Sequence, residues 1–228
     1  MLLAGDAGKI NAKQKKFLDE IYHGGSRMVE LVNTMLNVSR LEMGTFIIEL
    51  KPTYIPDVAD NVIKELKSLT KSKNLRIKKE YDSKCPIVPV DPKLLRIIFQ
   101  NLLSNAFKYT PNGGSVILAI KPQKSELLIK VADTGAGIPK SAVPHIFTRF
   151  FRADNAKEMD PEGTGLGLFI VKTIVDHAGC KIWFESPARQ SPDGSSRMAG
   201  GEEKKGTTFY FTIPLTGMRK KEGTRELI

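Results

Sequence analysis

Cysteine, acidic charge and long apolar runs are all in short supply in this chain. The two cysteines, Cys85 and Cys180, are far apart and fall in no metal-ligand spacing, which points to reduced cytoplasmic thiols rather than a disulfide framework. The longest apolar stretches, such as Val116 to Ile120, fall far short of the ~20 residues that a membrane span requires. Met1-Leu-Leu-Ala also lacks the basic start and extended apolar region of a secretory leader. The expectation is a soluble cytoplasmic segment, with room for a membrane anchor elsewhere in a longer protein. Acidic residues number 25 against 35 basic ones, a net charge of +10. The lysines are dispersed, without the interleaved aromatic platform of a single-strand binder, so solvated faces are favoured over a nucleic-acid surface. A nucleotide phosphate or an acidic protein partner would each benefit from the positive field.

At 228 residues, 41% hydrophobic and 26% charged, the chain fits one or two globular domains. Residues 11–43 read as one long helix, opened by Asn11 with Gln14 three residues on, an asparagine form of the capping box. Its apolar seam of Leu18, Ile21, Met28, Val32 and Met35 is widened by Phe17, Leu31, Leu36 and Val38, as suits a helical bundle. Gly24 and Gly25 predict a kink or weak point, at about 1 kcal/mol each. One helix cannot bury this stripe alone, so a partner helix is expected from outside these residues or from another subunit.

From Thr45 the period changes. Residues 46–50 and 75–81 read as strands, 56–70 as a helix, and Asp91-Pro92 as the cap and first turn of another helix. Residues 115–121 and 126–132 form an antiparallel pair, with 181–185 and 207–214 completing the sheet. Residues 139–162 and 186–206 read as mobile loops. The first is placed as a lid over a ligand, the second as an uninvolved insertion.

The chemistry-bearing residues come in a fixed order. Asn101 and Asn105 stand one helical turn apart, so two amide oxygens face one way, as a hard cation such as magnesium prefers; Lys108 and Tyr109 follow one turn on. Asp133 ends a strand and can accept a base amino group, while Gly135 and Gly137 let backbone approach a flat ring. A second glycine run, Gly163-Thr164-Gly165-Leu166-Gly167-Leu168, opens a helix whose free amides suit phosphate oxygens. Neither run has the Gly-x-x-x-x-Gly-Lys-Ser/Thr spacing of a P-loop. Each motif alone is unspecific; together they describe an ATP pocket.

These residues also carry a family resemblance. Residues 100–110 resemble the N box of bacterial-type sensor histidine kinases, 133–139 the G1 box, 145–152 the F box and 163–168 the G2 box, while 38–43 resemble the end of the second dimerisation helix. The resemblance implies an α+β fold: a Bergerat-type two-layer α/β sandwich over 46–217, preceded by part of a helical dimerisation hairpin over 1–45 and followed by a basic tail over 218–228. It implies a homodimer, ATP and magnesium as ligands, and a response regulator as partner, with no nucleic acid or membrane contact by this segment. Asn101 and Asn105 would hold magnesium, Lys108 the phosphates, Tyr109 the adenine side, Asp133 the adenine amino group, with Gly135, Gly137 and Ile138 beside the base. Residues 163–168 would frame the triphosphate, Thr208 would lie near the base, Phe147 and Phe150 would anchor the lid, and Arg149 or Arg152 would meet phosphate charge.

One departure from the family pattern stands out. The family's phosphoacceptor is a histidine followed by an acidic residue and then Arg and Pro, and none of His23, His145 or His177 has that context. The expectation is an acceptor upstream of Met1 and little autophosphorylation by the isolated chain. In the related gyrase and chaperone ATPases a glutamate one turn before the magnesium asparagine activates water. Asn101 holds that position here, which favours phosphoryl transfer over hydrolysis. A scaffold with a vestigial ATP site and a serine kinase of the same fold are the alternatives.

Overall fold

The computed structural model describes residues 8, 10–161, 163–187 and 206–222, excluding the side chains of His23, Ser26, Arg27 and Glu30. Helix α1 spans Ala12–Glu42, and the Asn11–Gln14 capping box closes it reciprocally, each side chain 2.9 Å from the other residue's backbone N–H. The helix runs continuously through Gly24 and Gly25, so the weak point expected there does not end it. A propensity deficit of about 1 kcal/mol per glycine does not remove the backbone ladder. Phe17, Ile21, Met28, Val32 and Met35 are exposed, as a stripe lacking its partner must be. The foot of the helix differs: Val38 and Leu41 are buried and join the main core.

The strand expected at 46–50 is corrected to β1 at Lys51–Thr53. Phe46 and Ile48 do point inward, but Ile48 N–H bonds Lys221 O in a single bridge, and Glu49 N–H bonds the Asp91 carboxylate at 2.9 Å. Pairing over 46–50 is limited to isolated bridges at Phe46 and Ile48, so no ladder builds there. The expected helix at 56–70 is two helices, α2 (Ile55–Glu65) and α3 (Lys67–Ser72), which meet at Leu66, a residue turned against the core. Strand β2 covers Arg76–Tyr81 and β3, not foreseen, Val88–Val90, which pairs with β1. Helix α4 (Pro92–Tyr109) starts where Asp91 accepts from Lys93 and Leu94 N–H, with Pro92 in the first turn where no donor is needed.

Strands β4 (Ser115–Gln123) and β5 (Glu126–Asp133) form a hairpin; helices α5 (Asp154–Met159) and α6 (Gly167–His177) follow, then β6 (Lys181–Glu185) and β7 (Thr208–Pro214). The five-stranded sheet has the order β2-β4-β5-β7-β6, antiparallel except for β2 against β4. Along β5, Leu127, Ile129 and Val131 are fully buried while Leu128 and Lys130 are half-buried, the two-residue period of a sheet covered on one face. Helices α2, α4 and α6 supply that cover, and Phe99 of α4 meets Phe211 of β7 edge-on at 5.6 Å. Both cysteines are buried and free; burial pushes the Cys180 thiol up to about 12 and raises Cys85.

Residues 218–222, expected to begin a basic tail, pack on the domain. Met218 is buried, Arg219 N–H bonds Ala178 O at 2.8 Å, and the Lys221 ammonium sits 4.2 Å from the Phe46 ring centroid. The rest of that tail, 223–228, and most of the expected 186–206 loop lie outside the described residues, as do residues 1–7 of the expected dimerisation segment. Among the described residues no helix is long and apolar enough to cross a membrane.

Candidate functional site

Helix α4, the turn after β5, residues 146–160 and 163–165, the start of α6, residues 29–37 of α1 and the α2–α3 stretch at Leu66 and Leu69 line a cavity of about 840 Å³. Thirteen of the sequence candidates line it: Asn101, Asn105, Lys108, Tyr109, Asp133, Gly137, Ile138, Arg152, Gly163, Thr164, Gly165, Gly167 and Leu168. The capped start of α4 and its buried face of Leu94, Leu95, Ile98 and Leu102 fix the helix against the sheet, which turns its polar edge toward the cavity. Its far end is held by a residue no motif announced. The Lys73 ammonium donates to Phe107 O at 3.2 Å, to Thr110 O at 3.0 Å and to Lys108 O, satisfying carbonyls that a helix end leaves without partners.

Asn101 donates its amide N–H to Ile97 O at 2.8 Å, which leaves Oδ1 as its open acceptor. That oxygen rests against Gly167, where a Cβ would overlap it, so the glycine is what lets α6 begin beside α4. Lys108 lies 3.2 Å from the Asp160 carboxylate, an ion pair between α4 and the segment 139–162. Asp133 and Asp160 are the two acidic residues among the described lining.

Asp133 is buried at the end of β5. Its Oδ1 accepts from Gly135 N–H at 2.8 Å and Thr207 N–H at 3.1 Å, and Oδ2 has no partner among the described residues. Burial pushes this carboxyl up to about 6 and the two backbone donors oppose the rise. Gly135 stands behind the carboxylate rather than in the cavity; a Cβ there would come within 2.6 Å of Tyr109 O. The turn is thus packed directly on the end of α4.

Segment 139–162 is more ordered than a plain loop. A 3-10 turn at Val143–His145 and α5 occupy it, Arg152 donates to Ala156 O and Pro161 O at 3.1 Å each and to Asp160 O, and Asn155 donates to Gly137 O at 3.0 Å. Phe147 is an anchor, edge-on to Phe184 and Phe209 at 5.9 and 6.5 Å. Phe150 is not: it is exposed, with a positive φ of 59°. Arg149 also lies outside the cavity lining, paired with Glu42 of α1 and 5.6 Å from the Phe169 ring centroid. Leu166 is a core residue, and Thr207 rather than the buried Thr208 lines the cavity. His145 packs on Phe151, and His177 bonds Thr173 O at 2.9 Å beside the Phe46 ring. The His23 side chain lies outside the described residues.

Sequence reading missed Lys73, Asn155, Asp160 and Thr207. Asn155 and Asp160 sit in a segment whose charge and proline content read as a loop, while Lys73 acts only through backbone carbonyls brought close by the fold.

Residues 90–217 match the family described as histidine kinase-, DNA gyrase B-, and HSP90-like ATPase. The circadian input-output histidine kinase CikA of Synechococcus elongatus is 30% identical over 215 residues, 93% of this chain and 26% of its own length. The sensor histidine kinase WalK of Bacillus subtilis is 32% identical over 201 residues, 87% of this chain and 30% of its own length. The chain therefore spans less than a third of these relatives. The crystal structure of full-length ShkA in complex with AMPPNP superposes with a TM-score of 0.73 at 25% identity, covering 95% of this chain and 42% of ShkA. With that match over more than half of its length, the chain belongs to the histidine kinase-, DNA gyrase B-, and HSP90-like ATPase family and, within it, is homologous to sensor histidine kinases.

Proposed function

We propose that this chain is the ATP-binding kinase core of a sensor histidine kinase, serving transfer of the ATP γ-phosphoryl group to a histidine for relay to a response-regulator aspartate. The observation that carries the proposal is one cavity holding a buried carboxylate, two amides and a lysine, with no carboxylate placed one turn before Asn105 to activate water. Asp133 Oδ2 accepts the adenine amino group, and the turn at Gly137 and Ile138 lies along the ring. Lys108 leaves Asp160 for the phosphates, and the amides at the start of α6 meet phosphate oxygens.

The donor set fits magnesium only as part of a nucleotide complex. No group of three His, Cys, Asp or Glu that could hold a metal ion occurs among the described residues, so the Asn101 and Asn105 oxygens would share the ion with phosphate oxygens. Bound there, magnesium supplies neutralisation of phosphate charge, the main requirement of phosphoryl transfer. ShkA, the 25% identical structure, is in complex with AMPPNP, which supports nucleotide binding by this chain.

The acceptor is none of this chain's three histidines: none of them precedes an acidic residue, and the His177 ring is bonded to Thr173 O. These 228 residues therefore show little autophosphorylation and phosphorylate a supplied dimerisation helix in trans. The exposed stripe of α1 pairs with helices of its own hairpin and of a second copy, giving a homodimer. The segment acts on the cytoplasmic side, with 1–45 as the dimerisation part, its foot at Val38 and Leu41 packed into the catalytic domain of 46–217.

The test incubates the chain with radiolabelled ATP, magnesium and a helical hairpin carrying an acceptor histidine. Acid-labile phosphate should appear on the hairpin and be lost with Asn105→Ala. Absence of magnesium-dependent ATP or ADP binding, or indifference to Asn105→Ala, would overturn the proposal in favour of a scaffold.

A further inference from the structure

Ser186, the first residue after β6, belongs to none of the motifs, yet its hydroxyl sits between the two backbone segments that surround Asp133. It accepts from Ile138 N–H at 2.7 Å and donates to Gly206 O at 3.0 Å. Gly206 C=O and Thr207 N–H are opposite ends of one planar peptide unit. The carbonyl end is held by Ser186, and the amide end donates to Asp133 Oδ1 at 3.1 Å. Gly206 has a φ of +141°, a conformation only glycine adopts freely, so its own backbone imposes little on that plane.

We infer that Ser186 is a positioning residue for base recognition: its hydroxyl fixes the Gly206–Thr207 peptide plane, and through it the aim of the Asp133 carboxylate at a purine 6-amino group. This rests on the reading of Asp133 as the acceptor for that amino group. The same hydroxyl ties Ile138 of the G1 turn to the plane, so both walls beside the base are registered by one side chain.

Removing the hydroxyl leaves Ile138 N–H and Gly206 O without their partner and loosens the carbonyl end of the plane, while Thr207 O still accepts from Asp133 N–H at 2.9 Å. Thr207 N–H then supports the carboxylate less well, and discrimination between an amino and a carbonyl group at the purine 6-position falls.

The experiment measures ADP and inosine diphosphate binding to wild type and Ser186→Ala by calorimetry at pH 7.5. The wild type should prefer ADP at least tenfold, because a carboxylate facing a carbonyl oxygen is repulsive and unpaired. Ser186→Ala should weaken ADP by about three- to tenfold with a smaller change for inosine diphosphate, the scale of one hydrogen bond. Ser186→Thr, which keeps a hydroxyl, should recover most of the preference. Equal weakening of both nucleotides, or an unchanged ratio, would overturn the role of Ser186. Loss of preference already in the wild type would instead overturn the reading of Asp133. Should Ser186→Ala fold poorly, amide exchange in the wild type supplies the test: Ile138 and Thr207 N–H should be slow and slow further with ADP, and rapid exchange of Ile138 would refute the clamp.

Discussion

Asp133 makes the site's pH dependence calculable. Its carboxyl is pushed up to about 6 by burial, whereas an unfolded aspartate titrates at 3.8. Accepting an amino group requires the ionised form. At pH 7.5 about 97% of the free protein is ionised, and at pH 5.0 about 9%, so the ADP preference over inosine diphosphate should fall about tenfold between them. Taking the ratio of the two nucleotides cancels the titration of their phosphates. A protonated Asp133 can also donate to the inosine carbonyl, which adds to the fall. Stability moves the opposite way. The folded value lies above the unfolded one, so the unliganded protein gains stability as pH falls through 6 toward 3.8 and loses it as pH rises through that window, by up to about 3 kcal/mol. Asp133→Asn keeps an oxygen for Gly135 and Thr207 N–H but turns an amide donor toward the base. It should hold or raise the melting temperature at pH 7.5 while losing ADP. Calorimetric titrations at several pH values check both halves. A preference that stays flat from pH 7.5 to 5.0, or breaks near 4, would refute the assignment of a desolvated carboxylate to base recognition.

Gly167→Ala places a methyl group on Asn101 Oδ1, so magnesium-dependent ADP affinity should fall about tenfold while binding without magnesium changes little, read by titration with and without chelator. Lys73→Met removes the donor for three carbonyls at the end of α4 and should cost about 1–2 kcal/mol in urea denaturation, with Lys73→Arg recovering part of it. Leu41→Ala, at a fully buried position in the foot of α1, should lower stability by about 2–5 kcal/mol, in contrast to less than about 0.5 kcal/mol for Met28→Ala on the exposed stripe.

What could be read in the sequence follows how local each signal is. The Asn11 and Asp91 caps, the β4–β5 hairpin, β6 and the start of α6 depend on residues within one or two turns of each other, and the structure reproduces them to within one or two positions, with β4 running two residues longer. The segment around Phe46 and Ile48 alternates like a strand because alternate side chains are buried. Its backbone partners are Lys221 and Asp91, both remote, and no periodicity reports them. The same distinction separates the cavity residues. Asn101, Asn105, Lys108 and Asp133 announce themselves by spacing on one helix or at a strand end, and they meet as expected. Arg149 and Phe150 are one residue type among several in an arginine- and phenylalanine-rich run. Which of them turns inward is set by the positive φ of Phe150 and by Glu42, more than a hundred residues earlier.

The sequence period changes at Thr45, but the packing changes earlier, inside α1. Leu36 is 44% exposed and Val38 is 6% exposed, with no break in the helix between them. Below that point Val38, Leu41 and Phe46 belong to the main hydrophobic core, and Glu42 pairs with Arg149 of the segment that borders the cavity. Above it Phe17, Ile21, Met28, Val32 and Met35 are exposed, while Val29 and Leu31 border the cavity. One continuous helix of 31 residues therefore carries both a buried foot and an exposed apolar stripe. Its lower turns are as much part of the sheet-and-helix core as the segment around Phe46 and Ile48 is. A domain boundary drawn by periodicity at residue 45 would cut through a buried cluster; one drawn by burial falls near Asn37, in the middle of a continuous helix.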